Sequence, residues 1–531
     1  MQSFWLRSLS CVCALLTVAN AGPPPKGKDD GVVKKVTCGG NTYTYHGLEG
    51  YGFVPSNAVD KYGDTMGGIG GALAVDQSSW HRRKDGTYEG IAWALPDRGW
   101  NTNGTLNVQS RIQKLSLSFK PAPKASVKKP SRPNLQIKHL DTVLLTGPDG
   151  TPTTGLDADI TGFIEFPGFP PLPGATYTGD GFGGEEGPGG RRISMDTEGL
   201  ALGRDGTFWV SDEYGPYVYQ FSHEGKMIQA IQPPEAYLPR RNGSLSFSAA
   251  SPPIYDPDKL PVPEDTESGR NNNQGFEALT VSPDGKELFV MIQSSLNQEG
   301  GPKKKNRKQA RLLKYDISGP KPRYTNEYVV TLPTYPDRSK EDPESSRLVA
   351  SQSEIHMLPN GDFLILSRDS DSGHGQDESR SVYRQADIFA IKSCTTDIKS
   401  DKYDSATGSI ASDKGELMNV IEPAEYCEFI DYNLESELGK FGLHNGGEQD
   451  KMLLNEKWES LALVPVDERD CNKKGRGRGS GKGREKEYFV ISFSDNDYIT
   501  QDGHLNFGKF NYADTSGFDL DTQALVFRIS F

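Results

Sequence analysis

Four glutamates stand at the head of four similar stretches of this sequence. Each precedes a short apolar run that leads through a turn to a second apolar run; they are Glu198, Glu277, Glu354 and Glu459. Carboxylates that meet around one point repel each other unless protons or a cation neutralise them. Because carboxylate oxygens suit Ca²⁺ and Mg²⁺, the pattern predicts a ring of glutamates that binds a divalent cation, with Ca²⁺ as the first candidate.

The same glutamates have a second interpretation that needs no metal. Each carboxylate could accept hydrogen bonds from the backbone of a neighbouring repeat and so lock the repeats together. The sequence leaves both interpretations open, and the two are compatible with each other.

The second apolar run of each stretch ends in polar residues that could bind or act on a substrate. The candidates for catalysis are Asp97, Arg98, Asp212, Glu213, Arg368, Asp495 and Asn496. An arginine among carboxylates can bind an anionic group such as a phosphate ester through two parallel hydrogen bonds, although it can equally form a structural ion pair. Asn273 is expected at the same place, while His374 and His444, in glycine-rich loops, are weaker acid–base candidates.

The elements that must position these residues are β-hairpins. Residues 196–214 read DTEGLALGRDGTFWVSDEY, in which alternating apolar residues flank a turn at Arg204-Asp205-Gly206. Period-two alternation around Asp-Gly is a strong hairpin signal. The other copies begin at Gly70, Gly275, Ser353 and Lys457, and the copy at Gly70 is weaker because it lacks the leading glutamate.

Five such hairpins at long intervals, with no convincing helix between them, predict an all-β protein. We expect a β-propeller of five blades with long inserted loops, or of six if another blade lies within residues 155–192. A large sandwich is the alternative. In a propeller the first strand of every blade lines the central channel, so the glutamates would meet on one axis.

Composition and the N-terminal residues predict an exported, soluble protein. Residues 1–21 combine Arg7, an apolar stretch too short to span a bilayer and a small-residue cleavage site, which is typical of a signal peptide. Residues 22–36 are rich in Pro, Gly and Lys and are expected to be disordered, so that residues 37–531 form the propeller domain. The net charge of −13 disfavours a nucleic-acid partner. No later stretch is apolar enough for a membrane span, and we expect a secreted monomer.

Cysteines and asparagines add expectations that fit an extracellular location. Four cysteines follow the signal segment: Cys38, Cys394, Cys427 and Cys471. They allow three ways of forming two disulfides, of which Cys394–Cys427 with Cys38–Cys471 is favoured. Asn103 and Asn242 stand in glycosylation sequences. Two basic runs, residues 303–311 and 471–486, are expected to be solvated insertion loops.

The hairpin stretches together resemble a known family. They are DTEGLAL from Asp196, NQGFEALTVSPDGKELFV from Asn273, SEIHMLPNGDFLILSRD from Ser353, and WESLALVP with YFVISFSDND from Trp458. The resemblance is to the family called esterase-like activity of phytase, a secreted phytase-like domain, and covers about residues 60–531. It implies hydrolysis of ester bonds, phosphate esters included. It carries over no catalytic residues, so the site assignments come from the residue patterns.

Three classes of function follow from these observations. The first is a secreted, metal-dependent hydrolase of phosphate or carboxylic esters, which would take a small anionic or ester substrate. The second is a non-catalytic extracellular module that binds a partner on one face of the propeller. The third is a structural protein in which the glutamates serve only as locks between blades.

Overall fold

The structure is a computed structural model, and it describes residues 31–183, 187–370, 372–467 and 485–531. The signal segment, most of the segment expected to be disordered, Cys471 and most of the second basic run lie outside the described residues. Within them the protein is mostly β, with only two short α-helices, Asp401–Asp404 and Glu435–Leu438. The all-β expectation is therefore confirmed.

The strands, numbered in chain order, are β1 (Lys34–Cys38), β2 (Asn41–Val54), β3 (Ala72–Val75), β4 (His81–Arg82), β5 (Tyr88–Leu95), β6 (Arg111–Phe119), β7 (Leu135–Leu144), β8 (Phe163–Ile164), β9 (Leu172–Tyr177), β10 (Gly190–Ile193), β11 (Thr197–Leu202), β12 (Phe208–Asp212), β13 (Val218–Phe221), β14 (Met227–Ile231), β15 (Arg240–Arg241), β16 (Ser244–Leu245), β17 (Phe276–Val281), β18 (Glu287–Ile292), β19 (Gln309–Asp316), β20 (Arg323–Thr331), β21 (Thr334–Pro336), β22 (Arg347–Val349), β23 (Ser351–Met357), β24 (Phe363–Arg368), β25 (Arg384–Ala390), β26 (Glu425–Asp431), β27 (Ala462–Pro465), β28 (Glu487–Phe493), β29 (Gly503–Leu505), β30 (Phe510–Tyr512) and β31 (Thr522–Ser530).

Five antiparallel sheets of four or five strands make up the main architecture of the described residues. Their strand orders are β3-β5-β6-β7 with β4 on β5, β11-β12-β13-β14, β17-β18-β19-β20, β23-β24-β25-β26, and β1-β2-β31-β28-β27. Each sheet contains one of the five predicted hairpins as a pair of adjacent strands. The Asp-Gly turns form as expected, because Gly206 and Gly285 take the left-handed φ values of 79° and 64° that such turns require.

The first strand of each hairpin lies on a shared cavity. Side chains of β3, β11, β17, β23 and β27 all line it, and the inner strands contact one another from β3 through β11 and β17 to β23. Apolar side chains fill the space between adjacent sheets, with Phe289 and Phe363, for example, 5.0 Å apart between ring centres. The arrangement brings the ends of the five hairpins together although they are distant in sequence.

The N-terminal strands complete the last sheet. β2 pairs along its length with β31, which also pairs with β28. Lys34–Cys38 forms β1 on the edge of this sheet, so residues 34–36 are ordered and not part of a disordered segment. The alternative of six blades placed the extra blade within residues 155–192, where β8, β9 and β10 form only a sheet of three short strands.

Cysteine pairing differs from the favoured expectation. Cys38 forms a disulfide with Cys427, which rules out both Cys394–Cys427 and Cys38–Cys471. The bond links β1 to β26 of the neighbouring sheet, a proximity that depends on tertiary structure and not on chain distance. Cys394 is half-buried.

The two glycosylation sequences lie on the surface as expected, whereas the first basic run is only partly exposed. Asn103 and Asn242 are exposed, as glycosylation would require, and their modification remains a prediction. In the first basic run the lysines at 303–305 are exposed, but Arg311 is fully buried in β19. There its guanidinium forms ion pairs with Glu299 and Glu327, since a buried charge needs compensating partners.

An acidic pocket at the ends of the inner strands

A small polar pocket collects most of the predicted site residues. Its volume is about 140 Å³, and its lining consists of Asp97, Arg98, Asn101, Glu198, Glu213, Asn273, Glu277, Gln293, Arg368, Lys457, Glu459 and Asp497. We call it the acidic pocket. Residues from all five hairpins and from the loop before β17 meet here, as expected if equivalent positions of the repeats share one place.

Shifts in strand register occur at two of the leading glutamates, Glu198 and Glu277. The strand pairing of β11 shifts between Thr197 and Leu200, and that of β17 shifts between Phe276 and Ala278, so that a β-bulge lies at Glu198 and at Glu277. A bulge inserts an extra residue and redirects its side chain. Both glutamates thereby reach the pocket at the start of their strands.

Three glutamates form one of three close groups of carboxylates among the described residues, and the other two groups are centred on Asp97. One oxygen from each of Glu198, Glu213 and Glu277 lies within 4.8 Å of the other two, and all three residues are buried. Glu277 accepts a hydrogen bond from Gln293 (2.9 Å) and Glu213 from the backbone of Gly275 (3.2 Å). Glu198 is only 7% exposed, and its carboxyl group faces the acidic pocket without a hydrogen bond or ion pair to the described residues. A buried carboxylate without a partner is costly unless a proton or cation joins it.

The electrostatics of this trio follow from burial and mutual repulsion. Burial, reinforced by neighbouring carboxylates, raises the pKa of Glu198 and of Glu277 well above the usual range. Burial raises the pKa of Glu213 to about 7, despite the opposing effect of Arg98. The donor set consists of hard oxygens whose charge Arg98 and Arg368 offset only in part, so the residues fit a divalent cation.

Arg98 occupies one side of the acidic pocket. Its guanidinium donates hydrogen bonds to Asp196 and to Asn273 and lies over the aromatic ring of Tyr214. Burial alone would raise the pKa of Asp97, but Lys457 and Arg98 outweigh it, and the pKa falls to about 2. The pKa of Asp97 is therefore shifted in the opposite direction to those of the glutamate trio.

Lys457 occupies the other side, and sequence reasoning missed it. Its ammonium lies 2.8 Å from Asp497, 3.4 Å from Asp97 and 3.6 Å from both Glu459 and Asp495, the carboxylates that it neutralises. It stands two residues before Glu459, as Asp196 stands two residues before Glu198. That shared position was the signal that could have identified both residues.

Arg368 and the backbone complete the lining. Arg368 forms ion pairs with Glu456 and with Glu459, so Glu459 is bound by two cations. Asn273 and Asp497 have positive φ values of 49° and 48°, which are unfavourable for residues with a side chain. Strained positions of this kind concentrate at functional sites.

Some predicted site residues have structural partners instead. Glu354 lies outside the acidic pocket, and its Oε1 accepts the backbone N–H of Leu279 (3.2 Å) in the neighbouring strand and of Ile355 (2.8 Å). This is the locking role that the sequence left open. The expected ring of four thus contributes Glu198 and Glu277 to the trio, with Glu459 held in ion pairs and Glu354 used as a lock.

Asp212, Asp495 and Asn496 are not part of the pocket lining. Asp212 accepts from Tyr219 (3.0 Å) and from the backbone of Asp196 (2.8 Å). Asn496 accepts from the backbone of Gly68 (2.9 Å), and Asp495 accepts from that of Asp497 (2.6 Å).

These three residues shape loops around the acidic pocket and do not line it. His374 and His444 also lie outside the lining. His374 packs against Phe518, and His444 contacts Asp450 at 3.1 Å.

Comparison with known proteins gives a family and a close relative. The model of the family Phytase-like, described as esterase-like activity of phytase, matches residues 81–469. A protein of Arthroderma benhamiae (strain ATCC MYA-4681 / CBS 112371) named "Uncharacterized secreted protein" is 64% identical over 508 residues, which cover 95% of this chain and 97% of that protein.

Two solved structures are more distant. A luciferin-regenerating enzyme shares 9% identity, covers 87% of this chain and 92% of its own, and gives a TM-score of 0.27. A gluconolactonase from Xanthomonas campestris shares 7% identity, covers 82% and 89%, and gives a TM-score of 0.24. Similarity at this level carries no argument about the chain. Among the described residues, no helix is long and apolar enough to cross a membrane.

Proposed function

The chain belongs to the family described as esterase-like activity of phytase, and we propose that it is a secreted hydrolase of phosphate or carboxylic esters that works with a divalent cation in the acidic pocket. The observation that carries the proposal is the trio of buried glutamates, whose member Glu198 has no partner among the described residues. The secreted relative supports the location outside the cell.

We infer the propeller from the same structure. Five sheets present their first strands to one cavity, and neighbouring first strands contact each other in chain order from β3 to β23. A propeller of five blades accounts for this arrangement. It also accounts for the meeting of Glu198, Glu213 and Glu277 in a single pocket.

Glu198, Glu213 and Glu277 would hold the cation. A divalent cation held there would supply Lewis-acid activation of the ester and of water. Calcium is the first candidate because carboxylate oxygens are its preferred ligands. Gln293 donates to Glu277 at 2.9 Å and so orients that carboxylate.

Arg98 and Arg368 would bind the anionic end of the substrate. In both side chains the buried Nε has no hydrogen-bond partner within the described residues. A phosphate or carboxylate oxygen could accept from these donors, since charge-assisted hydrogen bonds to arginine are strong and directional. Ion pairs with Asp196, Glu456 and Glu459 hold the guanidinium groups in place.

The size of the pocket limits what reacts inside it. Binding pockets for whole drug-sized ligands span about 300–1,000 Å³, whereas the acidic pocket has about 140 Å³. Only the ester group and its immediate neighbours would enter. The remainder of the substrate would stay outside.

A panel of p-nitrophenyl phosphate and p-nitrophenyl acetate, assayed with Ca²⁺ and with chelator, tests this function. We expect hydrolysis of at least one ester that chelator abolishes, and Glu198→Gln should lower it by at least about a hundredfold if the cation supplies several kcal/mol to the transition state. The matched control is Glu224→Gln, a glutamate whose side chain is 74% exposed. A folded protein that hydrolyses neither ester would favour the non-catalytic binding module.

A further inference from the structure

A second cavity lies on the same inner strands as the acidic pocket, toward their other ends. Its volume is about 1030 Å³, and aliphatic side chains of the five first strands form a large part of its wall, with polar residues such as Thr280, Ser282 and His356 between them. We call it the axial cavity. Its size matches the upper range of pockets that enclose a small molecule, about 300–1,000 Å³.

The wall of the axial cavity leaves apolar surface uncovered. Leu200 and Leu279, nearest the acidic pocket along their strands, are at most 3% exposed. Leu202, Val281 and Met357, farther along, line the cavity and are only half-buried. Apolar surface gathered in a concave site favours an apolar ligand, because its burial is the main source of binding free energy.

Charge along the axial cavity changes from its inner end to its mouth. Glu354 lies at the inner end, where backbone N–H groups hold its carboxyl group. Arg204 and Lys286, in the hairpin turns, lie at the mouth. Arg204 is exposed, lies over Gly285 of the next turn, and has no ion pair or hydrogen bond in the part of the chain that is described; Lys286 is paired with Asp284 at 3.3 Å. An anionic group would therefore be favoured at the mouth and not at the inner end.

We propose that the axial cavity binds a fatty-acid-class carboxylate, with its hydrocarbon chain between the inner strands and its carboxylate at Arg204. The apolar wall accounts for the chain, and the position of Arg204 accounts for the head group and the orientation. This binding site is separate from the acidic pocket and goes beyond ester hydrolysis.

Calorimetric titration of the full-length secreted protein in EDTA tests the proposal, with octanoate, decanoate, dodecanoate and neutral dodecanol as probes. We expect one site whose affinity rises by about fourfold for each added methylene that becomes buried. Dodecanol should bind at least about tenfold more weakly than dodecanoate, because it lacks the charge-assisted hydrogen bond.

Substitutions distinguish the contribution of the hydrocarbon chain to binding from that of the carboxylate. Arg204→Gln should reduce dodecanoate affinity to that of dodecanol and leave dodecanol unchanged, whereas the exposed control Arg132→Gln should change neither. Leu202→Asn should weaken the binding of both dodecanoate and dodecanol. If that variant does not fold, the near-isosteric Val281→Thr replaces it in the same test. Glu198→Gln should bind as the wild type does, which distinguishes this site from the acidic pocket.

Three results would overturn the proposal. They are the absence of saturable dodecanoate binding, an affinity that does not depend on chain length, and equal binding of dodecanoate by wild type and Arg204→Gln. Each would show that the cavity does not select an amphiphile in the orientation described, whatever the acidic pocket hydrolyses.

Discussion

The acidic pocket and the axial cavity are built from the same inner strands but have opposite chemistry. In β11, Glu198 faces the acidic pocket while Leu200 and Leu202 line the axial cavity. In β17, Glu277 is followed in the same way by Leu279 and Val281. A position along an inner strand, and not the strand itself, therefore determines whether a side chain meets carboxylates or hydrocarbon.

The two regions also differ in what stabilises them. The acidic pocket depends on the balance between many carboxylates and the cations Arg98, Arg368 and Lys457. The inner part of the axial cavity depends on buried aliphatic side chains such as Leu200 and Leu279. Substitutions in the two regions should therefore fail for different reasons and respond differently to pH and metal.

Removing the charge of Lys457 should have the largest effect. Lys457→Met would leave Asp97, Asp495 and Asp497 without their shared cation, and breaking a buried ion pair on one side costs about 3–5 kcal/mol. Urea unfolding measures the loss against Lys138→Met, a lysine exposed on β7. A loss no greater than that of the control would mean that the carboxylates near Lys457 are neutralised by other means.

Truncating one leucine in β11 should cost more than truncating the next one on the cavity. Leu200 is 3% exposed, and Leu200→Ala should lower the free energy of unfolding by about 2–5 kcal/mol. Leu202 is half-buried against open space in the axial cavity, and Leu202→Ala should cost about 1 kcal/mol. Similar losses in urea unfolding would contradict the open cavity.

Stability without metal should decrease as the pH rises. Burial raises the pKa of Glu213 from 4.5 to about 7, so the folded protein binds more protons than the unfolded chain between these values. The free energy of unfolding should then fall by about 3 kcal/mol between pH 4.5 and pH 7 from this group.

Thermal melting in chelator at pH 5 and pH 8 measures this loss. Added Ca²⁺ should reduce the difference, because the cation takes the place of the protons. A melting temperature in chelator that is higher at pH 8 would show that the trio does not carry the uncompensated charge assigned to it.

Substitution of Glu354 should destabilise the protein by the same amount with and without metal. Glu354→Leu removes the acceptor of two backbone N–H groups, and each unsatisfied buried group costs about 1–3 kcal/mol. The loss of stability should be equal in Ca²⁺ and in chelator. A loss seen only with Ca²⁺ would return Glu354 to the set of metal ligands.

The sequence predicted the hairpins and the meeting of their ends, because period-two alternation and Asp-Gly turns are local signals. It did not distinguish the lock Glu354 from the pocket residues Glu198 and Glu277, since all three lead the same pattern. Their different roles depend on which backbone groups the neighbouring sheet presents to each carboxylate.

Two other features depend on tertiary contacts that no local pattern records. Lys457 stands at a position where the other copies have Asp196 or an uncharged residue. It neutralises the carboxylates of Asp97 and Asp497, which the fold brings next to it. Cys38 meets Cys427 because β1 joins the last sheet beside β26. Chain distance had favoured a different partner.

The most direct test is the melting temperature of wild type, Glu198→Gln and Glu224→Gln, each with chelator and with Ca²⁺, Mg²⁺ or Mn²⁺. A cation at a hundredfold excess over its Kd stabilises the folded state by about 2.7 kcal/mol. We therefore expect at least one cation to raise the melting temperature of wild type and of Glu224→Gln, and to leave Glu198→Gln unchanged. A wild type that melts at the same temperature in chelator and in every cation, or a Glu198→Gln variant that keeps the full increase, would contradict a metal site at Glu198, Glu213 and Glu277.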